Sequence, residues 1–122
     1  NDLILRSLPQ LTAVVPGLQI LHLAGAADQA RLRDAYQAAG VTAAVHAFLA
    51  EMDIALAAAT AAVSRAGAGS LAELAATRLP AVLIPYPAAA DDHQRHNALA
   101  FAETGAAWML DQTSATPEQL VE

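Results

Sequence analysis

Strand, loop and helix signals alternate along this chain, which predicts an α/β fold of parallel β-α units wound into a three-layer sheet. Three observations carry that prediction. Short runs of β-forming residues recur at intervals, each leading into a loop and then into an Ala/Leu pattern of helical spacing. The chain has 122 residues, enough for one domain of ordinary size. Its hydrophobic content of 56% supports a real core, and the large share of alanine favours closely packed helices.

The elements follow in order. Leu3, Ile4, Leu8 and Leu11 mark a helix that begins almost at the first residue, with Asn1 or Asp2 as cap. Pro16-Gly17 makes a turn into a short strand, Leu18 to Leu23. Asp28 is placed to cap a helix that runs through Ala39, with Leu32, Ala35, Tyr36 and Ala39 facing the core and Gly40 as its stop. Val41 to Phe48 alternates as a second strand, and Ile54 to Ala59 reads as a short helix. Ala61 to Ser64 is a third strand, followed by a helix from about Leu71 to Thr77. Ala81 to Ile84 is a fourth strand that ends at Pro85-Tyr86-Pro87, and a helix from about Asp92 to Glu103 comes next. Ala107 to Leu110 and Pro117 to Val121 supply a last strand and a final helix.

Composition narrows the function classes. Six arginines, no lysine and twelve acidic residues give a net charge of −6, and the arginines are dispersed. Nucleic-acid binding needs clustered positive charge to neutralise phosphates, so this balance argues against it. No polybasic patch addresses anionic lipid, and no apolar run is long and charge-free enough to cross a bilayer. The absence of cysteine excludes disulfides and Cys-ligated zinc. A small-molecule site or a protein partner is the better default.

Two polar clusters stand out from the apolar background: R-A-G-A-G-S-x-x-E at 65–73 and D-D-H-Q-x-x-N at 91–97. Both follow predicted strands and open helices, and in open parallel sheets ligands bind at that carboxyl edge. Gly67 and Gly69 allow close backbone approach, and a helix start offers free N–H groups and a positive dipole end. An anion such as a diphosphate suits that position, with Glu73 one turn further in to accept bonds from ligand hydroxyls. Ser70-Leu-Ala-Glu73 equally fits a capping box, in which Ser70 and Glu73 serve each other's backbone donors. The glycines lack the dinucleotide G-x-G-x-x-G spacing and the P-loop lysine.

In the second cluster, His93 and Asn97 share a helix face and Gln94 lies three residues before Asn97, so all three converge near the helix start, with Asp91 or Asp92 as cap. Amides together with a histidine suit sugar hydroxyls, which need donors and acceptors. A solvated polar helix start is the plain alternative. Asp91, Asp92, His93 and His96 have no clear metal-ligand spacing, and His22 and His46 sit isolated in strand patterns. No nucleophile–base pair is readable, because Ser64 and Ser70 lie outside a G-x-S-x-G elbow. Spacing alone thus reaches an anionic, hydroxyl-rich ligand.

The run S-R-A-G-A-G-S-L-A-E-L, then L-P-A-V-L-I-P-Y-P, D-D-H-Q-x-x-N-A and E-T-G-A-A, resembles the donor-binding half of the MurG glycosyltransferases, family 28. H-A-F-L-A-E-M at 46–52 is similar to that family's F-I/L-x-x-M segment. The resemblance covers essentially the whole chain, and the joint order of the motifs makes it specific. It implies the Rossmann-like C-terminal domain of a GT-B enzyme. That enzyme moves GlcNAc, with inversion, from UDP-GlcNAc to undecaprenyl-pyrophosphoryl-MurNAc-pentapeptide (lipid I), making lipid II for peptidoglycan. By the same resemblance Leu49 presents backbone to uracil, with Phe48 and Met52 shaping the base pocket. Glu73 holds the ribose hydroxyls. Ala68, Gly69 and Ser70 face the diphosphate, and His93, Gln94 and Asn97 contact the sugar; the family often has Gln where His93 stands. No metal or cofactor is implied, UDP-GlcNAc being the donor substrate.

Further expectations come from where the family's other parts fall. Its first strand and G-G-S-x-G-A loop precede the helix that here opens at Asn1, and in a 3-2-1-4-5-6 order that strand is central. The N-terminal acceptor half, with its catalytic-base candidate and membrane-facing patch, also lies outside this chain. Residues 1–122 are therefore expected to be a partial donor-binding domain, with no catalytic residue of its own and poorly stable and inactive in isolation. The full-length enzyme is expected to be cytoplasmic, peripheral on the inner face of the bacterial cell membrane. Two alternatives stay open. One is another GT-B UDP-sugar transferase, including the catalytic half of a two-subunit GlcNAc transferase. The other is a non-catalytic nucleotide-binding or regulatory module.

Overall fold

The computed structural model describes all 122 residues. Its elements alternate as the sequence predicts: α1 (Asp2–Val14), β1 (Gln19–Leu23), α2 (Gln29–Ala38), β2 (Thr42–His46), α3 (Met52–Ala58), β3 (Ala62–Ser64), α4 (Ala68–Thr77), β4 (Ala81–Leu83), α5 (His93–Ala102), β5 (Ala107–Met109) and α6 (Pro117–Val121). A 3-10 turn at Ala90–Asp92 precedes α5. All strand pairs are parallel, as α/β units require, and they form two sheets, β1-β2 and β3-β4-β5. The chain groups into two compact units, residues 1–51 with 116–122 and residues 52–115.

The first unit is built on an i, i+4 pair. Leu32 and Tyr36 are buried on α2 and meet Leu8 of α1 with Val41 and Val45 around β2. The expected core face of α2 is narrower than its spacing suggested: Ala35 is half-buried, and Ala39, at the helix end, is exposed. α6 packs on α1. Buried Ser7 satisfies its hydroxyl by donating to the Leu3 carbonyl at 2.8 Å, so it costs the core little.

The second unit packs Leu71 and Leu74 of α4 and Ala98 of α5 onto Ala81 and Leu83 of β4 and Ala107 of β5. Alanine at the sheet positions lets the helices approach closely. Register sets Ser64 beside Leu83 and Leu83 beside Met109, so the three strands end in one row. The loops that follow them all leave from the same edge. The other sheet face is less covered: Val63, Val82 and Trp108 lie in register, with Val63 and Trp108 exposed.

Candidate functional site

The polar clusters meet at the carboxyl edge of the second sheet. β3 ends at Ser64, Arg65 and buried Ala66 follow, and Gly67 takes an extended conformation (φ −66°, ψ 147°) as the N-cap of α4. The helix begins at Ala68, three residues before the expected Leu71. Ser70 is therefore already inside the first turn and cannot be the cap, which overturns the capping-box reading of Ser70 and Glu73. The physical cause is upstream. Ala66 is anchored through both of its backbone groups, so the chain turns into the helix immediately after it. No side chain caps α4; its first intrahelical bond runs from Leu71 N–H to the Gly67 carbonyl at 3.0 Å. The amides of Ala68, Gly69 and Ser70 are left without intrahelical acceptors. Ala68 and Gly69 are exposed.

The anchors of Ala66 are two of the residues singled out for sugar contact. Asn97 Nδ2 donates to the Ala66 carbonyl at 3.2 Å, and Ala66 N–H donates to Gln94 Oε1 at 3.4 Å. Gln94 Oε1 also accepts from Tyr86 N–H at 2.9 Å. Gln94 and Asn97 thus converge as their spacing predicts, but each spends half of its amide on backbone. Gln94 keeps its Nε2 donors and Asn97 its Oδ1 acceptor for other partners. His93 does not join them. Its side chain is largely exposed and its Nε2 lies 3.8 Å from an Asp91 carboxylate oxygen.

Glu73 is exposed on α4, and its backbone carbonyl accepts from Thr77 Oγ1 at 2.8 Å. Ala68, Leu71 and Asn97 line a shallow depression of about 360 Å³ with Ala100, Phe101 and Thr104. A depression of the same size at the opposite, amino end of β1 and β2 lies away from the edge where such folds bind ligands. Asp92 occupies the N-cap position of α5, as expected, yet it makes no side-chain cap bond. It and Asp91 both adopt left-handed backbone (φ 56° and 49°), and the Asp92 carboxylate instead lies 3.9 Å from Arg95. Non-glycine residues in that region cost energy that the surroundings must offset, and such residues concentrate at ligand sites. In the first unit, exposed Phe48 and half-buried Leu49 lie in the loop after β2; Met52 opens α3 in the second.

Sequence reasoning passed over Arg65 and Tyr86. Arg65 Nη1 donates to the carbonyls of Ile84 (3.0 Å) and Pro85 (3.3 Å) and to the side-chain oxygen of Gln112. Its guanidinium lies 5.5 Å from the centre of the Tyr86 ring. Arg95 Nη1 meets Asp111 at 3.3 Å. The available signal was an arginine directly before a glycine-rich helix start, with a tyrosine between two prolines after the next strand.

Known proteins resemble this chain in sequence and fold. The family model "Glycosyltransferase family 28 C-terminal domain" matches residues 1–122. Relatives named UDP-N-acetylglucosamine--N-acetylmuramyl-(pentapeptide) pyrophosphoryl-undecaprenol N-acetylglucosamine transferase include one from Geobacter sp. (strain M21), 42% identical over 98% of this chain and 32% of its own length. Another, from Syntrophotalea carbinolica, is 46% identical over 98% of this chain and 34% of its own. The chain therefore spans about a third of the length of the curated relatives it matches. Among solved structures, Acinetobacter baumannii MurG aligns with a TM-score of 0.84 at 35% identity, over 95% of this chain and 36% of that one. A kitacinnamycin glycosyltransferase aligns with a TM-score of 0.57 at 28% identity, over 66% of this chain and 19% of that one. With the family model matched from end to end, the chain belongs to the C-terminal domain family of glycosyltransferase family 28.

Proposed function

We propose that residues 1–122 are the donor-binding part of a longer transferase that moves GlcNAc from UDP-GlcNAc to lipid I. The observation that carries this reading is the uncapped start of α4, facing the carboxyl edge of the sheet beside the half-free amides of Gln94 and Asn97. Helix starts favour anions by about 0.3–1 kcal/mol when exposed and up to about 2 kcal/mol when partly buried. The amides of Ala68, Gly69 and Ser70 take the diphosphate, and Glu73 takes the ribose hydroxyls. Gln94 Nε2 and Asn97 Oδ1 read the sugar, one as donor and one as acceptor. Segment 48–52, with Phe48, Leu49 and Met52, takes the base. His93 stands beside the sugar as an exposed polar neighbour.

In the reaction, the acceptor hydroxyl bonds to C1 of GlcNAc, the bond from C1 to the diphosphate oxygen breaks, and UDP leaves. The negative charge that grows on the departing diphosphate lies where the α4 amides point, so they stabilise the transition state more than the ground state. The base that takes the hydroxyl proton and the surface that meets the lipid belong to the acceptor half, on the inner face of the cell membrane.

Titration calorimetry on the full-length polypeptide that carries this chain tests the assignment. UDP-GlcNAc is expected to bind, and Glu73→Ala to weaken it about 10- to 100-fold, the loss of one hydrogen-bonding group to a charged partner. Absence of binding by the unaltered protein overturns the reading. The likeness to the kitacinnamycin glycosyltransferase favours a second reading, a GT-B transferase with another sugar donor. A panel of UDP-sugars separates the two, since Gln94 and Asn97 see the sugar and Glu73 the nucleotide.

A further inference from the structure

We propose that Arg65 is a positioning residue of this donor site, holding the Gln94 amide in register by bracing the loop that carries Tyr86. The inference rests on the donor-site reading above. Its starting point is the position of Arg65, directly after β3 and two residues before the α4 N-cap. From there its side chain crosses to the loop after β4, where Nη1 meets the Ile84 and Pro85 carbonyls, and to Gln112 in the loop after β5. The Nη1 group carries two protons and serves three acceptors from two loops, so the guanidinium head has little freedom to move.

The braced loop is the one that orients Gln94. Tyr86 N–H, one residue beyond Pro85, donates to Gln94 Oε1 at 2.9 Å, and Ala66 N–H, one residue beyond Arg65, donates to the same oxygen at 3.4 Å. Arg65 therefore fixes the neighbours of both amides that hold Gln94 Oε1 inward. With Oε1 held there, Nε2 is the end left to face a ligand. Without the brace, residues 85–89, which form no helix or strand, are held to β3 by the bond from Ile84 N–H to the Ser64 carbonyl (2.8 Å) just before them and by nothing at Pro85 itself. Gln94 could then rotate its amide and present the wrong polarity to the sugar.

Lysine is a poor substitute: its ammonium sits on a shorter stem, and it lacks the planar, delocalised guanidinium whose carbon lies 5.5 Å from the centre of the Tyr86 ring. That separates bracing from simple charge. A positive charge acting on the diphosphate survives Arg65→Lys and acts on UDP as strongly as on UDP-GlcNAc. A brace for the sugar-reading amide is weakened with lysine and matters only when the sugar is present.

The experiment is steady-state kinetics and UDP binding by the full-length polypeptide with Arg65→Lys and Arg65→Gln, together with amide exchange at Ala66 and Tyr86. Both variants are expected to lower kcat/KM for UDP-GlcNAc about 10- to 100-fold. Affinity for UDP alone should change less than about threefold, and exchange at both amides should speed up. Full retention of kcat/KM by Arg65→Lys overturns the proposal, as does a fall in UDP affinity that matches the fall for UDP-GlcNAc. Should Arg65→Gln not fold, Tyr86→Ala removes only an exposed ring and its approach to the guanidinium. It should show the same sugar-dependent loss at smaller size, and unchanged sugar dependence sinks the idea. If the unaltered protein binds UDP but does not distinguish UDP-GlcNAc from it, bracing is overturned while the nucleotide site stands. If it binds neither, the donor-site reading itself falls.

Discussion

Tyr36 shows how much one side chain can report on the first unit. Its ring is 1% exposed, its hydroxyl lies 2.7 Å from His22 Nδ1, and burial pushes its pKa up to about 12. Burial also lowers the pKa of His22 below its ordinary 6.5. The two shifts act at opposite ends of the pH scale. Tyr36 has its folded pKa raised, so its contribution is whole below pH 10 and is lost as pH rises through about 12. Two pH units correspond to about 2–3 kcal/mol. His22 has its folded pKa depressed, so its contribution is whole above pH 6.5 and falls away as the pH drops through the lowered value. Urea denaturation across pH should therefore show a plateau between those limits. Tyr36→Phe should flatten the alkaline fall, and an unchanged alkaline limb in that variant counts against this account. Helical spacing put Tyr36 on the core face, but its pairing with His22 was not legible in sequence, where His22 read only as an isolated strand histidine. A period-two pattern says which face a residue takes, and the partner across 14 residues comes from tertiary packing.

At the scale of elements, the same sequence signal gave two outcomes. Ser70-Leu-Ala-Glu73 and Thr116-Pro-Glu-Gln119 both fit the capping box, and the second forms it, with Thr116 Oγ1 accepting from Gln119 N–H at 3.4 Å and Gln119 Oε1 from Thr116 N–H at 3.0 Å. The first does not, because tertiary bonds to Ala66 start α4 early and put Gly67 at the cap. Local pattern could locate the helix to within three residues, and only the long-range amides of Gln94 and Asn97 decide its first turn. A prediction follows for Gly67, whose φ is negative and where an added Cβ meets nothing within 4 Å. Gly67→Ser should stabilise the helix by a few tenths of a kcal/mol, with its hydroxyl accepting from the first-turn amides. Those amides are then less free for an anion, so UDP affinity should drop while the denaturation midpoint rises. A rise in both would show that the α4 start does not meet the diphosphate.

Across the whole molecule, alternation and length were enough to read the fold class. Composition could not reveal that the core forms as two clusters, since every strand is mostly apolar and pairing is a matter of register. The two clusters share no residue. Leu32→Ala, at a site with no exposure, should cost about 2–5 kcal/mol. Amide exchange should quicken throughout β1 and β2, with β3, β4 and β5 less affected; equal acceleration everywhere would mean that the two clusters unfold as one. The arginines bear on the same question. The chain has six arginines and no lysine. Arg6, Arg31 and Arg33 belong to the first unit, and Arg65, Arg78 and Arg95 to the second. Four of these lie inside α1, α2 and α5. The other two precede Ala66 and Leu79, both buried and both bound through their amides. Trypsin has no lysine to attack, and every bond it recognises is sheltered until its surroundings open. A short digest of the folded chain should therefore act as two clocks, cuts after residues 6, 31 and 33 timing the opening of one unit and cuts after 65, 78 and 95 timing the other.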